Sequence, residues 1–201
     1  MARQTHTQHE PKGFRLMTTL QDYIDFYVDK GWAIFPCLPH DKFPAIPSAH
    51  EKGNPCKGEC GKDGHGFHDA TTDKKKIVEW WKQYKGANIG IATGRKSGFD
   101  VLDIDASHGG EDSYIALVEK YGAIPETPIA STGGGGRHIL FEVPSIEIRN
   151  SAGKIGKGLD IRGDGGYIIA APSIHPSGKP YSWISDYAPS KVPLAPFPKW
   201  M

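Results

Sequence analysis

Apolar positions recur along the chain with two periods, and together they predict short helices alternating with short strands. Leu20, Tyr23, Ile24 and Tyr27 stand at i, i+3, i+4 and i+7, which makes one face of a helix apolar. Thr18 or Thr19 is the expected N-cap and Gly31 the stop. Ile77, Trp80, Trp81 and Tyr84 repeat the spacing behind a cap at Thr71 or Thr72. At that period the paired tryptophans fit a core better than a base-stacking platform. A third helix carries Tyr114, Leu117, Val118 and Tyr121 inward and ends at Gly122. Between the helices, the segments 32–36, 88–94, 98–105, 127–131, 139–143 and 167–172 have the length and composition of strands. Only Arg95-Lys-Ser-Gly98 separates the second from the third, so those two are expected to pair as a hairpin. Tyr181-Ser-Trp-Ile184 suggests another hairpin-like segment.

Composition narrows this picture. A chain of 201 residues suffices for one domain with a real core or two small ones. Its 25 glycines and 16 prolines predict long loops between modest elements. Formal charge is +1, so nucleic-acid binding needs a local basic patch rather than an overall excess. No apolar run reaches the ~18–20 residues of a membrane helix, and Met1-Ala-Arg-Gln-Thr-His6 lacks a signal-peptide core. A cytoplasmic protein with no membrane partner is expected. Residues 1–16 are polar and aperiodic, a flexible arm before a folded domain over 17–201. The proline-rich end resembles a linker.

Chemistry concentrates in Gly98-Phe-Asp-Val-Leu-Asp103-Ile-Asp105. On a strand Asp103 and Asp105 share a face, with alpha carbons about 6–7 Å apart. Two such carboxylates repel, and burying one unpaired is costly. A hard divalent cation, Mg²⁺ or Mn²⁺, relieves both problems. The pattern also fits two solvated acids opening a turn. Further on, Asp160 lies between Leu159 and Ile161 in strand-like alternation, and Arg162 shares its side. A third acid beside the first two would complete a two-metal site, with Arg162 countering phosphate charge. His108, in the loop Ser107-His-Gly-Gly110, has no obvious partner.

Residues 50–70 are rich in Cys, His, Gly and Lys and too poor in apolar residues to bury a core. Cys56, Cys60 and His65 have the spacing of ligands around one tetrahedral Zn²⁺. The fourth is His68 or His50, with Cys37 more distant, and the alternative is a floppy loop with reduced thiols. A structural ion would explain how so polar an insertion is ordered.

Thr132-Gly-Gly-Gly-Gly136-Arg137-His138 follows a strand. Four glycines let backbone N–H groups approach an anion, and His138 opening the next strand suits a hydrogen bond to a triphosphate. The run lacks the Gly-Lys-Ser/Thr ending of a Walker loop, and a plain hairpin turn with a half-buried histidine fits equally. Lys42, in Asp41-Lys-Phe-Pro44, suits either solvent or a phosphate. Arg149, Lys154 and Lys157 make residues 144–158 a small basic link, either a solvated face or a contact for a nucleic-acid backbone.

From about Thr18 to Trp183 these segments, in order and spacing, resemble the N-terminal domain of bifunctional DNA primase/polymerases, a family of the archaeo-eukaryotic primase superfamily found in plasmids, phages and integrated elements. The likeness rests on His65-Gly-Phe-His-Asp-Ala-Thr71, Ala92-Thr-Gly94, Val101-Leu-Asp-Ile-Asp105, Gly133 to His138, Leu159 to Tyr167 and Ala171-Pro-Ser173. The resemblance implies an α+β fold, with an RRM-like, mainly antiparallel sheet, helices outside it, and a zinc-binding insertion beside the cleft. It implies that Asp103, Asp105 and Asp160 bind two catalytic Mg²⁺ or Mn²⁺ ions. Arg137, His138 and Arg162 would hold the triphosphate, with Lys42 and Ser173 as further candidates. The wider superfamily often has serine at the position of Gly136, so no hydroxyl contact comes from there. Relatives often have lysine where this chain has His68, which leaves His68 open as a zinc ligand.

The implied activity is nucleotide transfer from NTPs or dNTPs to a 3′-hydroxyl on a DNA template or primer, in replication of a plasmid, phage or mobile element. A C-terminal helicase region of a longer protein is the partner the resemblance suggests. Two alternatives stand beside it: a metal-dependent nuclease or phosphodiesterase using the same acids, and a nucleic-acid-binding module without turnover.

Overall fold

The computed structural model describes residues 17–201; the expected arm over 1–16 lies outside the described residues. Helix α1 spans Leu20–Asp29 behind Thr19. Thr19 Oγ1 accepts from the Asp22 N–H at 3.2 Å, and the Asp22 carboxylate accepts from the Thr19 N–H at 2.9 Å, a reciprocal capping box. Ile24, Tyr27 and Val28 are its buried face. Gly31, at φ +77, turns the chain out of the helix. Strand β1 (Ile34–Cys37) follows, then the polar insertion, then α2 (Lys74–Gln83). The α2 cap is Asp73, whose carboxylate accepts from the Lys75 N–H at 2.9 Å. Thr71, expected in that role, instead exchanges two backbone hydrogen bonds with Ile34. Trp80 is buried, with Nε1 donating to Asp63 at 3.1 Å, and Trp81 packs on the same core.

The remaining elements are β2 (Asn88–Ala92), β3 (Phe99–Ile104), α3 (Gly110–Tyr121), β4 (Ile129–Ser131), β5 (Arg137–Glu142), β6 (Ser151–Ala152), β7 (Leu159–Arg162), β8 (Tyr167–Ala170), β9 (Ser182–Trp183) and β10 (Ala195–Pro196). They form two sheets. One has the order β1-β2-β8 and the other β6-β7-β3-β5-β4-β9, with antiparallel neighbours throughout. The fold is therefore α+β, antiparallel sheets flanked by three helices among the described residues, as the resemblance implied. Two details differ from expectation. β2 and β3 meet only at the Gly94–Phe99 bridge, because β1 and β8 occupy both edges of β2. The proline-rich end is no linker: β10 pairs in parallel with Phe141 and Glu142 of β5, on the stretch of that edge that β4 leaves free.

Two of the three chain crossings between the sheets, β2 to β3 and β7 to β8, lie at the Phe99 end of β3; the third, β8 to β9, passes the β4–β5 turn at the Ile104 end. Thr93 binds the first two together, its N–H donating to Gly166 O at 3.0 Å and its hydroxyl to Gly163 O at 2.7 Å. Arg95 adds an ion pair to Asp164. One face of β3 and β5, through Phe99, Val101 and Leu140, packs against the first sheet and the α1 and α2 side chains. The opposite face, through Leu102, Ile104, Ile139 and Phe141, packs with Tyr114 and Leu117 of α3 and with Phe197. Tyr121, expected inward on α3, is 45% exposed and stacks on Trp200 instead. Towards the Ile104 end the first face turns polar, and a cleft opens between the sheets.

Candidate active site

Register builds the site. Asp103 lies directly across β3 from Asp160 of β7 on one side and from His138 of β5 on the other. Residues directly opposite on neighbouring strands share a face, so two acids and a histidine distant in sequence form one row. Arg162, two residues beyond Asp160, stands on that face too. Its Nη2 donates to Asp103 Oδ2 at 3.0 Å and to Asp160 Oδ2 at 2.8 Å, and its Nε reaches Asp103 Oδ2 at 3.2 Å. One carboxylate oxygen from each acid thus lies within bonding distance of a single nitrogen. A hard cation at that place would meet both oxygens, so the donor set fits Mg²⁺ or Mn²⁺.

Asp105 is placed differently from its partner acid. It follows β3 and caps the turn 106–108. Its Oδ1 accepts from the Ser107 N–H at 2.9 Å and the Ser107 hydroxyl at 2.7 Å, and its Oδ2 lies 2.7 Å from His108 Nδ1. Partial burial pushes this carboxyl up, but the bonds from Ser107 and His108 prevail and hold it below the usual range. His108 therefore has a partner, contrary to the sequence expectation. Asp105 sits on the cleft rim, close to the row but tied to its own loop.

His138 is 5% exposed. Burial lowers its proton affinity against the pull of Asp103, with Arg162 and Lys42 adding to the lowering. The ring is accordingly neutral at pH 7, with Nε2 3.5 Å from Asp103 Oδ1. Tyr181 lies over it at 6.0 Å between ring centroids. The cleft in front of the row has a volume of about 620 Å³, and Lys42, Tyr167, Asn150, Gly134 and His175 contribute to its walls.

The glycine run is a tight β4–β5 turn, and it spends two of its four N–H groups on itself. Gly135 N–H donates to Thr132 O at 3.0 Å and Gly136 N–H to Thr132 Oγ1 at 3.0 Å. Gly136 cannot carry a side chain here, since a Cβ would lie 2.0 Å from Ile104 O. Gly135 has φ +87, which favours glycine.

Two expected nucleotide contacts lie elsewhere. Arg137 precedes His138 on the strand and so faces the opposite side. There its Nη2 binds the Glu111 carboxylate at 2.6 and 2.8 Å, and its guanidinium lies over Tyr114. Ser173 is buried, and its hydroxyl accepts from the Ile89 N–H at 2.8 Å, fastening the segment after Pro172 to β2. Lys42 does reach the cleft, held by a hydrogen bond from the Tyr167 hydroxyl to its carbonyl. Tyr181 and Asn150, to which sequence reasoning gave no role, also line it. Neither carries a local signal: they arrive through register and loop packing.

The insertion gathers His50, Cys56, Cys60 and His65, with one ligand atom of each within 4.8 Å of all the others. Cys60 Sγ is 3.5 Å from His65 Nε2. His65 Nδ1 faces Asp69 Oδ1 at 3.3 Å, which turns Nε2 towards the cluster, an outer carboxylate typical of histidine metal ligands. His50 Nε2 is buried with no hydrogen-bond partner among the described residues, as a ligand atom facing a metal position would be. Two thiolates and two imidazoles fit Zn²⁺. His68 stands outside the cluster, packed on the Phe67 ring at 4.0 Å. Cys37 is buried in β1, and burial pushes its thiol well above the usual range.

No helix among the described residues is long and apolar enough to cross a membrane. No curated protein sequence matches the chain. The family model described as bifunctional DNA primase/polymerase, N-terminal, matches residues 25–200, which takes in both sheets, the acid row and the His/Cys cluster. The chain belongs to the bifunctional DNA primase/polymerase family.

Proposed function

We propose that this domain joins nucleotides from NTPs or dNTPs to a 3′-hydroxyl on a DNA template, in the replication of a plasmid, phage or other mobile element. The observation that carries the reading is the Asp160–Asp103–His138 row, with Arg162 on its acids, at the floor of a nucleotide-sized cleft. In the reaction the hydroxyl oxygen bonds to the α-phosphorus, the bond to the bridging oxygen breaks, and pyrophosphate leaves. Such chemistry is catalysed mainly by positioning and charge neutralisation.

Asp103, Asp160 and, from the rim, Asp105 supply oxygen ligands for Mg²⁺ or Mn²⁺. Cations held there would acidify the attacking hydroxyl and neutralise charge on the leaving group. Neutral His138 donates a hydrogen bond to the triphosphate without adding charge that would repel a cation. Lys42 approaches the same phosphates from the opposite wall, and Arg162 has further N–H groups to offer. His50, Cys56, Cys60 and His65 would hold a structural Zn²⁺, which would order the insertion beside the cleft.

The test is extension of a labelled primer on a DNA template with dNTPs and Mg²⁺ or Mn²⁺, comparing the chain with Asp103→Ala. Metal-dependent extension, reduced at least ~100-fold in the variant, is expected. Primer shortening would replace the reading with a nuclease. Retained DNA binding without any product would replace it with a binding module.

A further inference from the structure

The glycine run and a histidine far downstream are built around each other. A Cβ at Gly133 would lie 2.3 Å from His175 Cβ and 2.4 Å from Lys179 O, so glycine is what lets the 173–181 segment close down on the turn. Once there, His175 is held by its neighbours. The Ser177 N–H donates to His175 Nδ1 at 3.0 Å, and the Ser177 hydroxyl spends its hydrogen on Gly133 O at 2.7 Å. Nδ1 is therefore an acceptor, and in the neutral ring the hydrogen belongs to Nε2. Burial and the nearby Lys42 lower the proton affinity of the ring, against an opposing pull from Asp105. Nε2 lies beside Gly134: a Cβ on that residue would approach it to 3.3 Å. No hydrogen-bond partner of Nε2 occurs among the described residues, and the ring forms part of the cleft wall. Tyr181 spaces the two histidines, at 5.8 Å from His175 and 6.0 Å from His138.

Resting on the reading under Proposed function, we propose that His175 is a second nucleotide-binding histidine, whose Nε2–H donates to the outer phosphates of the incoming nucleoside triphosphate. The surroundings select phosphate over sugar or base. The same cleft presents Lys42 and His138, both suited to an anion, and the ring stands against the β4–β5 turn at Gly134. The glycines of the run then divide the work: Gly133 admits the histidine, Gly135 and Gly136 shape the turn, and Gly134 leaves Nε2 uncovered.

The experiment measures KM and kcat for single-nucleotide incorporation in the wild type, His175→Ala, His175→Gln and Gly134→Ala. Equilibrium binding of a non-hydrolysable deoxynucleoside triphosphate and of the matching monophosphate is measured alongside. His175→Ala should raise KM and the triphosphate Kd about 10- to 100-fold, the range for a hydrogen bond to a charged group, with kcat within a few-fold and monophosphate binding little changed. Gln, which places an amide N–H near the position of Nε2, should restore most of the loss. Gly134→Ala should weaken triphosphate binding while keeping the imidazole, and its backbone is outside the left-handed region, so folding is not at issue. Unchanged triphosphate affinity in His175→Ala and Gly134→Ala, or equal losses for mono- and triphosphate, would overturn the assignment while extension by the wild type upheld the polymerase. A wild type that neither binds triphosphate nor extends primers would remove both.

Discussion

Asp100 is a buried acid that costs this fold stability. It sits on the catalytic strand, three residues before Asp103 but on the other face, and is 1% exposed. Neither carboxylate oxygen has a hydrogen-bond partner among the described residues. Burial, reinforced by Asp164 and only partly opposed by Arg95, pushes its carboxyl up from 3.8 to about 7. The protonated form is thus favoured by the fold, and stability is highest where the group stays protonated in both states. It falls as pH rises from about 4, where the unfolded chain ionises, and levels off above about 7, where the folded protein ionises too. At about 1.4 kcal/mol per tenfold change in proton affinity, the full penalty is about 4 kcal/mol, of which about 2–3 kcal/mol accrues between pH 5 and pH 8. Asp100→Asn keeps the shape and cannot ionise. Urea denaturation of both proteins from pH 5 to pH 9 should show the variant gaining on the wild type by about 2–3 kcal/mol up to pH 8, then running parallel. A difference constant across that range would show that Asp100 is solvated or paired in solution, and the argument from burial would fail.

Two further outcomes follow from the geometry. Metal analysis of the purified protein should find about one equivalent of zinc per chain, lost in His50→Ala and Cys56→Ala but kept in His68→Ala; loss in the last would put the wrong histidine in the cluster. Gly136→Ala should cost about 1–3 kcal/mol by denaturant unfolding, because its Cβ would meet Ile104 O at 2.0 Å, next to the Asp103–His138 pair. Wild-type stability in that variant would mean the turn yields without cost.

Much of the architecture was legible because it is local. The periodicity of Leu20 to Tyr27 and of Ile77 to Tyr84 specifies helices whatever surrounds them. Alternation was informative where it was applied consistently. It placed Arg162 beside Asp160, and applied equally to Arg137 and His138 it sends the arginine to Glu111 rather than to the cleft. The capping of the turn by Asp105 was also readable, since an Asp side chain readily accepts from the backbone N–H two residues on. The hidden part is long-range. Nothing near Asp160 says that it will face Asp103, and nothing near Ser173 says that its hydroxyl will be consumed by Ile89. Nor could spacing choose between His50 and His68, because a glycine-rich loop has no period from which to project direction.

The two sheets resemble the covers of a book, with two of the three chain crossings in the spine. Thr93, Gly163, Gly166 and the Arg95–Asp164 pair stitch that spine, with Asp100 buried just beside it, while the acids lie at the open edge. At the open edge the β8–β9 connection crosses between the covers, and the Ser177 hydroxyl fastens it to Gly133 O at 2.7 Å. The gap is thus held from both ends, by the packing of Phe99, Val101 and Leu140 near the spine and by this clasp over residues 173–181. The clasp that shuts the book also carries His175 and Tyr181 into the wall of the cleft.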